Sequence, residues 1–279
     1  MTQPILLQSF TDEFDLTRDQ KVKNPAVPGS VLHPTEGKLS NDDQFTYRSG
    51  TGKLLHLMKW SRPEIGNAVR ELSRFMNGAG LSHMKAMYRV MNYCLNTSER
   101  GKVFKPHRHC KPEDIDKFEF IIEGYSDSDY AKDPVRRRSV SGFCSFLEGC
   151  SINTKSRMQP ITSLSVTEAE LIAATECAQD LLYAMHVLVS IGLCVHTPMK
   201  LNIDNSGCID LICNWSSGGR TRHMETRMYW LRELKEEEPP IIVPIYCPSE
   251  LNRSDIYTKN CDTTLFDEHV KAYCTDDIY

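Results

Sequence analysis

The sequence has no CxxC pair, no internal repeat, no long apolar run and little net charge, and each absence removes a class of protein. Eleven cysteines in 279 residues would suit a disulfide framework, but the number is odd. The two nearest in sequence, Cys208 and Cys213, are too far apart for a CxxC redox or zinc pair. The opening stretch, MTQPILLQSF, has no charged leader ahead of an apolar run. Reduced thiols in an intracellular protein, cytoplasmic or nuclear, are therefore expected, most of them serving as small buried hydrophobes. HRHC at 107–110 lacks a second ligand pair at matching spacing, which argues against zinc. The longest apolar stretch, LLYAMHVLVSIGLCV at 181–195, is interrupted by His186 and Ser190 and is too short to span a bilayer, so no membrane role is expected.

What is present is an ordinary globular composition with an uneven charge. Hydrophobic residues make up 40% and charged residues 25%, enough for a core and unlike a disordered chain. The net charge of −4 excludes a highly basic nucleic-acid binder, yet it is an average over two unlike halves. Residues 1–117 carry 18 Lys+Arg against 13 Asp+Glu, or +5, whereas 118–279 carry 15 against 24, or −9. Such asymmetry points to two regions with different tasks.

Residues 1–46 are polar, contain Pro25, Pro28 and Pro34, and read as a tail or extended arm. Two helices follow. In SRPEIGNAVRELSRFMNG, Pro63 suits a first helical turn and Gly78 a C-terminal cap. Ile65, Ala68, Val69, Leu72, Phe75 and Met76 form one stripe there. In SHMKAMYRVMNYCLN at 82–96, Ser82 is the expected cap. Arg62, Arg70, Arg74, Lys85 and Arg89 lie off the stripes and suit either a solvated face or phosphate contacts. Strand-like segments then occupy 118–127, 138–148 and about 150–155. Residues 165–192 make the strongest helix, with Ser165 and Glu168 as a capping box. A strand at 199–204, helices near 205–214 and 223–238, a strand at 241–247 and a short helix from Ser254 complete a mixed α/β plan.

Four acids stand out within this plan. Asp127 and Asp204 terminate apolar strands, where sites of α/β sheets gather, although a strand-terminal Asp also serves simply to cap a turn. Glu170 heads the core-facing stripe Ala174, Cys177, Leu181, Met185, where a carboxylate is costly unless it is paired or binds metal. Asp255 lies in the first turn of the last short helix, which the helix dipole alone would justify. Brought together, four oxygen donors would repel one another and would favour hard divalent cations.

At these positions the sequence resembles the ribonuclease H domain of copia-type retrotransposon polyproteins. The resemblance rests on GYSDSDYAKDPVRRRSVSGF at 124–143, SLSVTEAELIAA at 163–174, IDNSGCIDL at 203–211, RTRHMETRMYWLREL at 220–234 and SDIYTK at 254–259. Upstream, YRSGTGKLLHLMKWSRPEI at 47–65 and SHMKAMYRVMNYCLNT at 82–97 resemble the segment connecting polymerase to ribonuclease H, and TQPILLQSF at 2–10 resembles the end of the polymerase palm.

The resemblance implies an α/β fold of the ribonuclease H type: a mixed five-stranded sheet with flanking helices, preceded by a small helical connection segment. It divides the chain into a palm-end remnant or arm (1–46), a thumb-like connection (47–112), a ribonuclease H-like domain (113–262) and a C-terminal tail (263–279). It further implies hydrolysis of the RNA strand of RNA–DNA hybrids by two Mg²⁺, with Mn²⁺ as a substitute, held by Asp127, Glu170, Asp204 and Asp255. Asp127 is preferred over Asp129 because it is the acid expected to end the strand. Ser126, Arg138, Ser165, Arg222 and His223 are expected near the substrate, with a solvated loop the alternative for Arg138 and a structural histidine the alternative for His223. The chain lacks the paired aspartates a polymerase needs, since Asp42–Asp43 lies in the polar arm and Asp276–Asp277 at the C-terminus. The expected partners are the hybrid and the rest of a reverse transcriptase polyprotein. The competing expectation is a catalytically silent relic that binds nucleic acid or a polymerase.

Overall fold

The computed structural model describes residues 1–17, 22–214 and 225–276. They fall into two compact units, Met1–Val103 together with the chain from Lys259 onward, and Phe104–Thr258. Among the described residues, no helix is long and apolar enough to cross a membrane.

The first unit is helical. Helices α1 (Pro4–Phe14), α2 (Asn41–Trp60), α3 (Gly66–Ser73) and α4 (Leu81–Asn96) pack around Phe10, Tyr47, Leu54, Leu72, Met87 and Met91, all essentially inaccessible. The N-terminal segment is thus not simply an extended arm. Pro4 starts a helix whose Leu7 and Phe10 are buried, a stripe too short to stand out as a period in the sequence. Helix α4 is capped two residues earlier than expected, at Gly80 rather than Ser82, and the Gly80 N–H donates to Nδ1 of His83. Two of the arginines read as solvated or phosphate-binding are neither. Arg62 is 1% exposed and pairs with Glu64 at 2.6 Å, while Arg70 pairs with Glu71 at 2.7 Å. The C-terminal segment is no free tail either. Asp262 caps a helix at Thr263–Val270, Phe266 packs edge-on against Tyr93, and Cys274–Thr275 pairs antiparallel with Gly101–Lys102.

The second unit is built on one sheet. Its strands are β1 (Ile122–Asp129), β2 (Val140–Leu147), β3 (Cys150–Met158), β4 (Met199–Ile203) and β5 (Ile242–Tyr246), in the spatial order β3-β2-β1-β4-β5. The first three form an antiparallel meander, and β4 and β5 run parallel to β1. The β2–β3 connection is the two-residue turn Glu148–Gly149, both with positive φ, as a tight hairpin requires. Pro244 falls in β5, an edge strand of the sheet. The missing N–H there costs less than in an interior strand, so the proline is compatible with the fold.

Helix α5 (Val166–Ser190) lies across β1 and β2, with α6 (Ser206–Cys213) and α7 (Glu225–Glu236) completing the layer. Ser165 caps α5 through its hydroxyl, which accepts the Glu168 N–H at 3.1 Å. The other half of the expected box is displaced by one residue, because the Glu168 carboxylate accepts from Leu164 N–H at 2.6 Å. Leu171, Ala174, Cys177, Ala178 and Leu181 from α5 meet Leu201, Ile203 and Phe143 in the core. The helix comes so close to β1 that a Cβ on Gly124 would lie 2.5 Å from Cys177 Sγ.

Candidate active site

The strand alternation of β1 sorts its polar residues onto two faces. Gly124, Ser126 and Ser128 share the face against α5; Asp127 occupies the other, opposite Gly142 of β2. Asp204 follows the last residue of β4, and Asn205 immediately caps α6, its side chain accepting from the Cys208 N–H. Asp255 begins a single 3₁₀ turn, Asp255–Tyr257. One carboxylate oxygen from each of Asp127, Asp204 and Asp255 lies within 4.8 Å of the others. Asp127 and Asp255 are buried, at 1% and 3% exposure, and Asp204 is half-buried.

Glu170, in the first turns of α5, lies near enough to Asp127 and Asp204 to feel their charges. Its Oε1 accepts from the Ser128 hydroxyl at 2.9 Å and the Ser128 N–H at 3.2 Å. Its Oε2 is buried with no hydrogen-bond partner among the described residues. Burial, then the neighbouring charges of Asp127 and Asp204, hold its carboxyl well above the usual glutamate range. A buried carboxylate oxygen without a partner beside three clustered acids is the arrangement a divalent cation relieves, and an all-oxygen donor set suits a hard one.

Neighbouring polar side chains hold these acids in place. The Thr258 hydroxyl hydrogen-bonds Asp127 Oδ2 and also lies 3.0 Å from the Asp255 carbonyl. Ser249 donates to Asp204 Oδ2 at 3.0 Å. Gln159, 1% exposed, ties the start of α5 to β2 by donating to the Ala169 carbonyl and the Ser141 hydroxyl. Asn252 bridges β1 to the turn carrying Asp255. None of these four positioning groups was expected from sequence, because their partners are distant along the chain and no local pattern marks them.

The acids themselves lie close to expectation, with one difference. Strand β1 continues to Asp129, so Asp127 does not end it. What separates the two is environment, since Asp129 is taken up by Lys132 at 2.5 Å and Asp127 joins the cluster. The expected substrate contacts fare unevenly. Ser126 is fully buried, its side chain on the face towards α5, so its hydroxyl is not available to a substrate. Ser165 is engaged as the α5 cap. Arg138 is half-buried in a loop held by Asp133, whose N–H donates to the Arg138 carbonyl and whose carboxylate accepts from the Arg136 N–H. Arg222 and His223 lie outside the described residues.

A mixed sheet in the order β3-β2-β1-β4-β5, with acids on β1, after β4 and on the intervening helix, is the ribonuclease H-like fold. No family model matches the chain. Its sequence is similar to the retrovirus-related Pol polyprotein from transposon TNT 1-94 of Nicotiana tabacum, 27% identical over 93% of this chain and 19% of that protein. It is also similar to the Pol polyprotein from transposon RE1 of Arabidopsis thaliana, 26% identical over 88% of this chain and 16% of that protein. A third relative, secreted RxLR effector protein 161 of Plasmopara viticola, is 34% identical over 48% of this chain and 87% of its own length. Among solved structures, LC11-RNase H1 isolated from compost is 17% identical, with a TM-score of 0.36 over 54% of this chain and 96% of that one. The chain's relatives over most of its length are thus copia-type retrotransposon Pol polyproteins, at 25–27% identity. It spans about a fifth of the length of the TNT 1-94 polyprotein.

Proposed function

We propose that residues 104–258 are the ribonuclease H of a retrotransposon polyprotein and hydrolyse the RNA strand of RNA–DNA hybrids. The observation that carries this reading is the convergence of Asp127, Asp204 and Asp255 within 4.8 Å, with the unpartnered oxygen of Glu170 beside them. The four acids come from a strand, the residue after another strand, a helix and a 3₁₀ turn, and bringing like charges together costs stability that a shared cation offsets. They would hold two Mg²⁺, or Mn²⁺ in their place, which supply an activated water and neutralise charge on the scissile phosphate.

The protein's own groups do the positioning. The Thr258 hydroxyl orients Asp127 for its shared role, Ser249 orients Asp204, and Ser128 occupies one oxygen of Glu170 and leaves the other, buried and without a hydrogen bond, for a cation. Arg136–Arg138, on the loop held by Asp133, would meet backbone phosphates, and the products would carry 3′-hydroxyl and 5′-phosphate ends. The helical unit takes the part of the connection between polymerase and ribonuclease H, and the remainder of the polyprotein is its partner. One of the solved structures similar to this chain, LC11-RNase H1, is described in complex with an RNA/DNA hybrid.

The test is incubation of the full chain with Mg²⁺ and an end-labelled RNA–DNA hybrid. Cleavage of the RNA strand is expected from the wild type and its loss from Asp204→Asn. Equal cleavage by the two, or none by the wild type, overturns the reading.

A further inference from the structure

We infer that Asn252 is a positioning residue that sets the separation of the Asp127 and Asp255 carboxylates, an inference that rests on the nuclease reading above. Its side chain is completely buried. The amide nitrogen donates to the Ser126 carbonyl at 2.9 Å, on the residue just before Asp127. The amide oxygen accepts from the Ser254 hydroxyl at 2.6 Å and the Ser254 N–H at 3.2 Å, on the residue just before Asp255. The Asn252 backbone carbonyl accepts from the Asp255 N–H at 3.1 Å. A single amide thus spans the two backbone segments that carry two of the acids.

Asparagine fits this place for a chemical reason. The bridge needs a donor and an acceptor on one short, uncharged side chain. Aspartate would lose the donor and add another negative charge to a cluster already short of compensation, and leucine would leave the Ser126 carbonyl and both Ser254 donors without their partner. The acids repel one another, so the Asp255 turn is under a constant outward load. Asn252 and Thr258, which tie that turn to β1 from its two ends, resist it.

A merely structural role would lower stability and leave metal affinity unchanged, so the test reads both. The full chain, Asn252→Ala and Ser254→Ala are compared by calorimetric titration with Mn²⁺ alone, by the Mg²⁺ concentration giving half-maximal hybrid cleavage, and by melting temperature in metal-free buffer. Removing groups that orient metal ligands typically weakens affinity by roughly 10–100-fold. That weakening is expected for Asn252→Ala, with a smaller change in the same direction for Ser254→Ala and a matching rise in the Mg²⁺ requirement. If Asn252→Ala does not fold, Ser254→Ala carries the test. Variants that melt lower yet keep the wild-type Mn²⁺ affinity and Mg²⁺ requirement overturn the inference alone. A wild type that neither binds Mn²⁺ nor cleaves overturns the nuclease reading and the inference with it.

Discussion

At the scale of the residue, the site is a matter of which carboxylates come together. Asp127 and Asp129 stand two apart on one strand and share a face, and only Asp129 has a lysine within reach three residues on. Asp127→Asn should therefore abolish hybrid cleavage, while Asp129→Asn should retain most of it, in parallel assays of the purified full chain. The same clustering predicts metal-linked stability. Excess Mg²⁺ should raise the melting temperature of the wild type, by about 2.7 kcal/mol of added stability at 100 times the dissociation constant. The Asp127→Asn/Asp204→Asn double variant should show no such rise, and a rise equal to that of the wild type would place the cation elsewhere. The acids could be singled out in the sequence because strand and helix-stripe patterns are local. Asn252, Gln159 and Thr258 were not, because a buried amide or hydroxyl looks like any loop residue until its distant partners are known.

Close packing and turn chemistry govern the elements. Helix α5 reaches β1 only because Gly124 has no side chain; Gly124→Ala would force its methyl against Cys177 Sγ at 2.5 Å and Leu181 at 3.2 Å. A loss of about 1–3 kcal/mol is expected by denaturant unfolding, partly restored by Cys177→Ala, which frees the space. The β2–β3 turn carries a second test. Glu148 accepts from Ile121 N–H at 2.7 Å and from the Arg108 guanidinium at 2.5 and 2.9 Å. Burial raises its carboxyl, but the Arg108 and Ile121 hydrogen bonds outweigh it, and the group titrates below the usual glutamate range. A depressed folded-state value stabilises the protein at pH above the ordinary glutamate range, and that stability is lost as pH falls through the depressed value. Glu148→Gln should cost about 1 kcal/mol at neutral pH and progressively less in acid, measured as the difference in unfolding free energy across the pH range.

Across the whole molecule, the charge split and the chain path belong together. The acidic half supplies most of the sheet unit, with its three clustered aspartates, and the basic half contributes most of the helical unit. The chain then returns to that first unit after Thr258, burying Phe266, Val270, Tyr273 and Cys274. Truncation after Thr258 should therefore unfold the helical unit while the sheet unit keeps its protection, a contrast visible by hydrogen exchange resolved to peptides. The sequence by itself determined the local elements and the capped helix α5, and it marked a short set of candidate acids, because periodicity and caps are encoded within a turn or two. Only the tertiary structure decided that the acids converge, that Asp127 and not Asp129 joins them, and that the last segment completes the first unit. The convergence and the completed first unit depend on contacts between residues far apart in the chain, and nothing in a local pattern carries that information.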